Sequence, residues 1–218
     1  RVSMDEFDVI VVGGGSGGCA VAGRLAEAGY SVCLLEAGGR NDTFGVKTPA
    51  MLAFTGPKIN YRYETVPQKG LNGRQGYQPR GRGLGGSSAI NAMIYIRGNR
   101  YDYDNWAALG CEGWSYDDVL PYFKRAEHNV RGDDAYHGAS GPLWVSDQSA
   151  VNPGSHAFVE AATQLQLPHN HDFNGAKQEG FGLYQITQKD GERWSASRGY
   201  VEPLRKSRNL DVRIGVTV

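Results

Sequence analysis

Residues 7–39, FDVIVVGGGSGGCAVAGRLAEAGYSVCLLEAGG, decide the fold of this chain. The run from Phe7 to Val12 is apolar and β-branched with little alternation, which predicts a buried parallel strand. From Cys19 to Ala28 the apolar side chains recur at helical spacing, and Gly29 ends the predicted helix. A second apolar strand runs from Ser31 to Leu35. The pattern predicts the β–α–β start of a doubly wound α/β domain.

The glycine loop between the first strand and the helix has the spacing GxGxxG, at Gly13, Gly15 and Gly18. Gly13 permits a tight turn, Gly15 lets a pyrophosphate approach the backbone, and Gly18 lets the helix pack close to the strand. The helix N-terminus offers N–H groups and partial positive charge to phosphates. Glu36 follows about 20 residues later, where a carboxylate accepts hydrogen bonds from ribose hydroxyls. The loop predicts dinucleotide binding; the alternative is a glycine-rich turn with no ligand. Glu36 disfavours NADP, because its carboxylate would repel a 2′-phosphate, but it does not separate NAD from FAD.

A second glycine-rich loop, GRGLGGSSAIN at residues 81–91, leads into the apolar stretch AMIYIRG at residues 92–98. The loop carries two serines and an asparagine, so it is too polar for plain core. The stretch from Ala89 to Ile96 is too apolar for plain surface. The combination indicates a loop and a short element that lie against a flat, partly polar ligand. The alternative is a glycine turn that leads into a buried segment.

Composition excludes several classes of function. The 23 basic and 23 acidic residues give a formal net charge of zero, whereas a nucleic-acid partner requires a basic surplus. No run approaches the ~20 apolar residues of a membrane helix, and no signal peptide is visible; the residues before Met4 are interpreted as a processing remnant. Cys19, Cys33 and Cys111 are odd in number and widely spaced. They predict no disulfide framework, no metal site and a reduced, cytoplasmic setting.

Three blocks of sequence carry a resemblance to a known family. Residues Gly81 to Asp104 match the first signature of the glucose–methanol–choline (GMC) oxidoreductases at every defined position. The block GGGSGG…LLEAGG at 13–39 and the segment HGASGP at 137–142 match as well. The chain resembles this family over essentially its whole length, and most of all the bacterial members that are similar to choline dehydrogenase.

The resemblance implies FAD as the cofactor. Some family members attach FAD covalently through a histidine just before the equivalent of Asn91, and Ile90 stands there in this chain. The resemblance therefore implies non-covalent FAD. The residues that it assigns to FAD are Gly13, Gly15, Ser16, Gly17 and Gly18 at the diphosphate, Glu36 at the adenosine ribose with Ala37 next to it, Arg82, Gly85, Gly86 and Ser87 along the diphosphate and flavin, Asn91, Ala92, Met93 and Ile94 at the isoalloxazine, and Val218 at the adenine.

The resemblance also implies a domain layout and a reaction. It assigns residues 4–142 and 195–218 to a Rossmann-like FAD-binding domain, with a flavin-covering excursion at about 41–78. Residues 143–194 would be part of an α+β substrate-binding domain built on an antiparallel sheet. The expected reaction is oxidation of a small alcohol, a CH–OH donor, by hydride transfer to the flavin. The alternatives are a lyase on the same fold, such as a hydroxynitrile lyase, and a non-catalytic FAD-binding fragment.

No catalytic residue is expected within this sequence. The family's catalytic histidine lies near the C-terminus of a chain more than twice as long, so it would belong to a C-terminal half that could be a separate chain. His128 and His137 lie in polar segments with no visible carboxylate partner, and both are interpreted as non-catalytic. His169 and His171 are interpreted as an exposed loop pair.

The remaining sequence predicts further local elements. Asp104 is the expected N-cap of a short helix around Trp106, and the four tryptophans are expected in the core. The other expected elements are a capping box at 115–118 with a kink or restart at Pro121, an amphipathic helix at 153–165, a half-buried strand at 183–188, a hairpin turn at 189–192, a helix at 197–206 and a strand at 210–218.

Overall fold

The computed structural model describes residues 6–218, so the predicted domain start at residue 4 and the remnant before it lie outside the described residues. The strands of this part are β1 (Val9–Val12), β2 (Val32–Glu36), β3 (Tyr63–Glu64), β4 (Tyr77–Gln78), β5 (Glu127–Asn129), β6 (Leu143–Val145), β7 (Gln188–Lys189), β8 (Glu192–Arg193) and β9 (Leu210–Ile214). The α-helices are α1 (Ser16–Glu27), α2 (Phe44–Lys47), α3 (Arg100–Ala108), α4 (Tyr116–Ala126) and α5 (Pro153–Gln164).

The chain folds into two compact units. The first runs to Ala92 and resumes at Glu192–Val218, and the second is Met93–Gly191. None of the helices within residues 6–218 has the length and apolar character needed to cross a membrane.

A parallel three-stranded sheet forms the centre of the first unit, with β2 between β1 and β9. Helix α1 packs on this sheet, as the predicted β–α–β unit requires. The apolar spacing of α1 explains this packing, because it gives the helix one apolar face that covers apolar side chains of the strands. The buried cluster consists of Cys19, Ala22, Ala26, Val32, Leu34, Leu84, Ala196, Tyr200, Val201 and Leu210.

Strand β1 differs from the expected fully buried strand. It begins at Val9 rather than Phe7, and only Val9 and Val11 pack against the core cluster. Ile10 and Val12 point to the other face and are exposed. The apolar run was typical of a strand buried on both faces, but in this part of the chain only one face is covered.

The helix that follows Gly98 begins earlier than expected, so the prediction of Asp104 as its N-cap is wrong. Asn99 caps α3 by accepting from the N–H of Tyr101, and the carboxylate of Asp102 accepts from the N–H of Asn99. Asp104 lies inside α3, where its carboxylate accepts from the N–H of Tyr116 at 2.9 Å. It therefore fixes the first residue of α4.

Helix α4 confirms the predicted capping box and excludes one of the two outcomes expected at Pro121, a restart of the helix. The Ser115 hydroxyl accepts from the N–H of Asp118, whose carboxylate accepts from the N–H of Ser115. The helix continues through Pro121 without restarting.

Two of the four tryptophans are not in the core. Trp106 and Trp114 are exposed, so the expectation that all four tryptophans lie in the core is wrong.

The last segment of the first unit is irregular where a regular helix at 197–206 was expected. A π-helical turn at Ser197–Val201 passes into a 3₁₀ turn at Glu202–Leu204. Pro203 offers no N–H to a continuing helix. Strand β9 ends at Ile214 rather than 218, because Gly215 turns the chain with a φ of +72°.

The second unit contains short pairings instead of the expected strand at 183–188. Ile186 forms antiparallel bridges with both Ile94 and Ser146, so three segments meet without a continuous ladder. The predicted turn is confirmed, because Asp190 and Gly191 both have positive φ, 52° and 77°. Helix α5 matches the predicted helix within one residue. Its apolar face is only partly covered within the described chain, since Ala162 is buried but Phe158 and Leu165 are exposed.

Candidate functional site

The first glycine loop lies between β1 and α1 and combines two glycines that the fold requires with two that lie next to open space. Gly13 has a φ of +96°, and a Cβ on Gly18 would lie 1.9 Å from the carbonyl oxygen of Gly13. These two positions therefore demand glycine for the turn and for the close approach of helix and strand. A Cβ on Gly15 or Gly17 would meet nothing within 4 Å. Gly15 leaves space beside the loop, as expected where a ligand approaches the backbone.

The N-terminus of α1 opens onto that space. Gly15 is the N-cap and supplies no side chain to the first N–H groups of the helix. Ser16 and Gly17 are exposed. Uncapped N–H groups and the helix dipole favour an anion at this point.

Glu36, at the end of β2, joins the first glycine loop to the second. Its Oε2 accepts from the N–H of Gly14 at 2.8 Å, and its Oε1 accepts from the N–H groups of Gly38 and Gly83 at 2.7 and 2.9 Å. Only 6% of the residue is exposed. A carboxylate offers about four lone-pair sites, so three backbone bonds leave one site for a ribose hydroxyl.

The two glycine loops also pack directly on each other. The N–H of Gly85 donates to the carbonyl of Gly14 at 2.7 Å. A Cβ on Gly86 would lie 2.7 Å from the Cα of Gly15. Gly85 and Gly86 both have positive φ, 88° and 49°. The structure thus brings predicted residues from loops about 70 positions apart into one backbone assembly.

An open cavity of about 830 Å³ lies at the carboxyl ends of β2 and β9. Open parallel sheets bind ligands at this edge. Among its lining residues are Ala37, the cations Arg40, Lys58 and Arg82, and one carboxylate, Asp42, which is neutralised by Lys47. The Arg82 guanidinium lies 5.7 Å from the Tyr61 ring centre. Its position and its basic side chains suit an anionic dinucleotide.

The chain beyond β9 stays close to this edge. The N–H of Gly215 donates to the carbonyl of Gly38, and the N–H of Val216 donates to that of Glu36. Val218 is 82% exposed. Its contact with adenine stays a prediction.

The segment predicted to line the isoalloxazine crosses from one unit to the other. In the first unit, Asn91 and Ala92 are exposed. In the second, Met93 is buried and Ile94 is exposed. Met93 has a φ of 63°, a left-handed conformation that is uncommon for a side chain of this size. Such outliers cluster at functional sites, but flavin contacts of these four residues stay predictions.

Sequence reasoning missed Arg193, a buried residue that contacts the second glycine loop. Only 2% of it is exposed. Its Nη1 donates to the backbone carbonyl and to the side-chain Oδ1 of Asn91, at 2.7 and 2.8 Å. Burial lowers the pKa of Arg193 to about 10, which leaves it charged at neutral pH. An arginine after a hairpin turn carries no motif, so no signal in the sequence marked it.

The interpretation that His137 has no carboxylate partner is wrong. In the second unit its Nδ1 lies 3.0 Å from Glu127 Oε1, and its Nε2 lies 2.9 Å from Asp172 Oδ2. Burial opposes protonation of the imidazole, but hydrogen bonds to Asp172 and Glu127 outweigh it and raise the pKa of His137 to about 9. Arg97 completes the network with an ion pair of 2.7 Å to Glu127. An imidazole held protonated between two carboxylates is a poor proton acceptor at neutral pH.

His169 and His171 are exposed, as interpreted from the sequence. Within residues 6–218 no group of three or more metal-ligating side chains is assembled.

Comparison with known proteins agrees with the motifs. The family model described as GMC oxidoreductase matches residues 7–218. An alcohol dehydrogenase (acceptor) from Pseudomonas putida is 46% identical over 210 residues, which cover 94% of this chain and 38% of that protein. An oxygen-dependent choline dehydrogenase from Photobacterium profundum is 43% identical, covering 96% of this chain and 38% of that protein.

Solved structures share the fold. Pyridoxine 4-oxidase from Mesorbium loti superposes with a TM-score of 0.91 at 33% identity, covering 96% of this chain and 42% of its own. An FAD-dependent oxidoreductase from Chaetomium thermophilum gives a TM-score of 0.84 at 30% identity, covering 95% and 38%. The chain thus spans less than half the length of these relatives. It belongs to the GMC oxidoreductase family, a family whose cofactor is FAD, and it has the predicted Rossmann-like α/β fold.

Proposed function

We propose that this chain forms the FAD-binding part of an enzyme that oxidises an alcohol, a CH–OH donor, with FAD as the hydride acceptor. The main support for this proposal is the assembly of two glycine loops that are joined through Glu36 beside an uncapped helix N-terminus. Relatives named as alcohol and choline dehydrogenases support the substrate class. Since the chain spans 38% of these relatives, the activity is proposed for the longer protein.

The residues present fit FAD. The empty space beside Gly15 and the uncapped start of α1 suit the diphosphate. The remaining acceptor site of Glu36 suits a ribose hydroxyl, and the basic cavity beyond β2 suits the adenosine half. Bound FAD would supply the two-electron acceptor that alcohol oxidation needs. Ile90 offers no atom for a covalent link, which supports non-covalent binding.

In this proposal the residues of this chain bind FAD and orient it. The N–H groups of the first loop offset phosphate charge, while the second loop positions the segment from Asn91 to Ile94. Residues 4–142 and 195–218 form the proposed FAD-binding domain, with the excursion at 41–78 over the flavin. Residues 143–194 contribute to the proposed substrate domain.

The proton acceptor for the alcohol hydroxyl is proposed to come from residues beyond this sequence. His137 is held protonated between two carboxylates. His169 and His171 are exposed, and their ring centres lie 4.0 Å apart with the rings tilted by 53°. The longer protein, or a second chain that carries its C-terminal half, would supply the base, and a cytoplasmic location is proposed for both.

The test is anaerobic reduction of the purified full-length protein by a panel of alcohols that includes choline. Loss of the oxidised flavin absorbance with aldehyde formation is the expected result. Cyanohydrin cleavage without loss of that absorbance would support a lyase instead. A purified, folded protein that retains no flavin after reconstitution would contradict the proposal.

A further inference from the structure

Arg193 is a buried cation that no carboxylate neutralises within residues 6–218. It donates to neutral oxygens: Val46 O, Ser88 O, Asn91 O and Asn91 Oδ1. Two other arginines show the contrast. Arg97 pairs with Glu127 at 2.7 Å, and Arg198 pairs with Glu192 at 2.8 Å. Because an uncompensated buried charge is costly, its retention here requires a reason.

The contacts of Arg193 give one part of that reason. Its Nη1 reaches both Ser88 and Asn91, on the second glycine loop, while its Nε donates to Val46 at the end of α2. One rigid guanidinium therefore fixes the loop from its buried side. The outer surface of Asn91 is exposed, so a ligand can reach the residue that Arg193 holds.

The positive charge of Arg193 gives the second part of the reason for its retention. Hydride transfer adds negative charge to the isoalloxazine, and a nearby fixed cation in a buried setting stabilises such charge. The guanidinium is one hydrogen bond away from Asn91, which is expected to line the isoalloxazine. Neutral oxygens accept from its Nε and Nη1 without cancelling its charge.

We infer that Arg193 is a positioning residue for Asn91 and a buried cation that stabilises reduced FAD relative to oxidised FAD. This inference rests on the proposed function. It assigns two separable roles to one side chain: the fork of donors positions Asn91, and the positive charge raises the reduction potential of the flavin.

The experiment uses the full-length holoenzyme and two substitutions that separate these roles. Arg193→Gln removes the charge and keeps donors, whereas Arg193→Lys keeps the charge and removes the fork. Arg198→Gln is the matched control, because Arg198 pairs with Glu192 and donates to the backbone carbonyl of Arg193. The measurements are the FAD dissociation constant and the midpoint potential by dye equilibration.

Arg193→Gln should weaken binding of reduced FAD relative to oxidised FAD by roughly tenfold, which lowers a two-electron potential by about 30 mV. Arg193→Lys should keep the potential but weaken FAD binding roughly tenfold, because one ammonium cannot replace both Nη1, which donates to Asn91, and Nε, which anchors the guanidinium on Val46. That loss should shrink in an Asn91→Ala background if Arg193 acts through Asn91. Arg198→Gln should change neither quantity.

An unchanged potential in flavin-loaded Arg193→Gln would overturn the charge role. An unchanged FAD affinity in Arg193→Lys would overturn the positioning role. If Arg193→Gln does not retain FAD, Arg193→Lys decides: a preserved potential supports the charge role, and a lowered one overturns it. Failure of the proposed function is distinct, because it would appear in the wild-type protein, which would bind no FAD or would not be reduced by alcohols.

Discussion

The carboxylate of Glu36 accepts a hydrogen bond of 2.9 Å from the N–H of Gly83, 47 residues later in the chain. The same carboxylate accepts from the N–H of Gly14. Glu36 therefore holds the two glycine loops together besides being the predicted ribose ligand. Any substitution at this position has to be interpreted with both roles in mind.

Glu36→Gln should lower both the stability of the flavin-free full-length protein and its affinity for FAD. An amide has one acceptor oxygen and directs an NH₂ group at a backbone N–H, so at least one buried donor loses its partner. A hydrogen bond to a charged group contributes about 1.5–3 kcal/mol, which corresponds to roughly one to two decades in affinity. Thermal unfolding without FAD and a flavin titration measure the two effects.

Glu27→Gln is the control for this substitution. Glu27 forms an exposed pair of 2.8 Å with Arg24 on the same helix, and such pairs contribute little. A Glu36→Gln protein with unchanged flavin-free stability would contradict the joining role. One with unchanged FAD affinity would contradict the ribose role.

Gly15→Ala should leave the fold intact and weaken FAD binding. The φ of Gly15 is −75°, which alanine adopts freely, and the added Cβ meets no protein atom within 4 Å. The methyl group would occupy space into which the diphosphate is expected to fit. Circular dichroism and thermal unfolding check the fold, and a flavin titration checks the binding.

Gly18→Ala is the contrasting substitution, because its Cβ would lie 1.9 Å from Gly13 O. We expect it to disrupt the fold itself, while Gly17→Ala, with no atom within 4 Å, should preserve it. A Gly15→Ala protein that binds FAD like wild type would show that the diphosphate lies elsewhere.

FAD should be released completely when the full-length protein is precipitated with acid. Ile90 is expected at the position where some members of the family carry a linking histidine, and it is buried and apolar. The measurement is the partition of flavin absorbance between supernatant and pellet, with tryptic digestion of the pellet as a check. Flavin that stays attached to a peptide would refute non-covalent binding.

Local pattern was enough to predict the β1–α1–β2 unit and the roles of Gly13 and Gly18. These features depend on residues within one supersecondary unit, where periodicity and glycine spacing are informative. The capping box at Ser115 was predictable for the same reason. The N-cap of α3 was not, because Asn99 and Asp104 are both good capping residues and only the packing selects between them.

Contacts between distant segments could not be predicted. Arg193 bonds to residues 102 and 147 positions away, and His137 meets Asp172 across 35 positions. Neither pairing produces a periodic pattern in a single sequence. The exposed faces of β1 and α5 were also unpredictable, because apolar periodicity shows that a face is to be buried without showing what covers it.

The His137 network should stabilise the protein in a pH-dependent manner. The pKa of His137 is raised from 6.5 to about 9, so its contribution is complete below pH 6.5 and is lost as the pH rises through about 9. The pKa of Asp172 is lowered by its bond to His137 against the effect of burial. Its contribution is present above its ordinary value of 3.8 and is lost as the pH falls below it.

His137→Gln should therefore destabilise the full-length protein most near pH 6 and much less above pH 9. Breaking a buried pair typically costs about 3–5 kcal/mol. The measurement is the difference in unfolding free energy between wild type and variant across this pH range, in which other titrating groups largely cancel. A difference that is constant with pH would contradict a protonated His137.

Residues 4–218 expressed alone should not turn over any alcohol. The chain carries both glycine loops of the proposed FAD site, so flavin binding is not the limiting requirement. A hydroxyl proton has to be removed as the hydride leaves, and general base catalysis supplies roughly two to four decades of rate. His137, the strongest candidate from this sequence, is committed to Glu127 and Asp172. Exposed apolar side chains such as Ile10 and Phe158 also predict poor solubility for this piece.

The test of this prediction supplies FAD to residues 4–218 and assays a panel of primary alcohols with an artificial electron acceptor, with the full-length protein as the reference. Turnover within tenfold of that reference would place the base inside this sequence and make His137 the first residue to substitute.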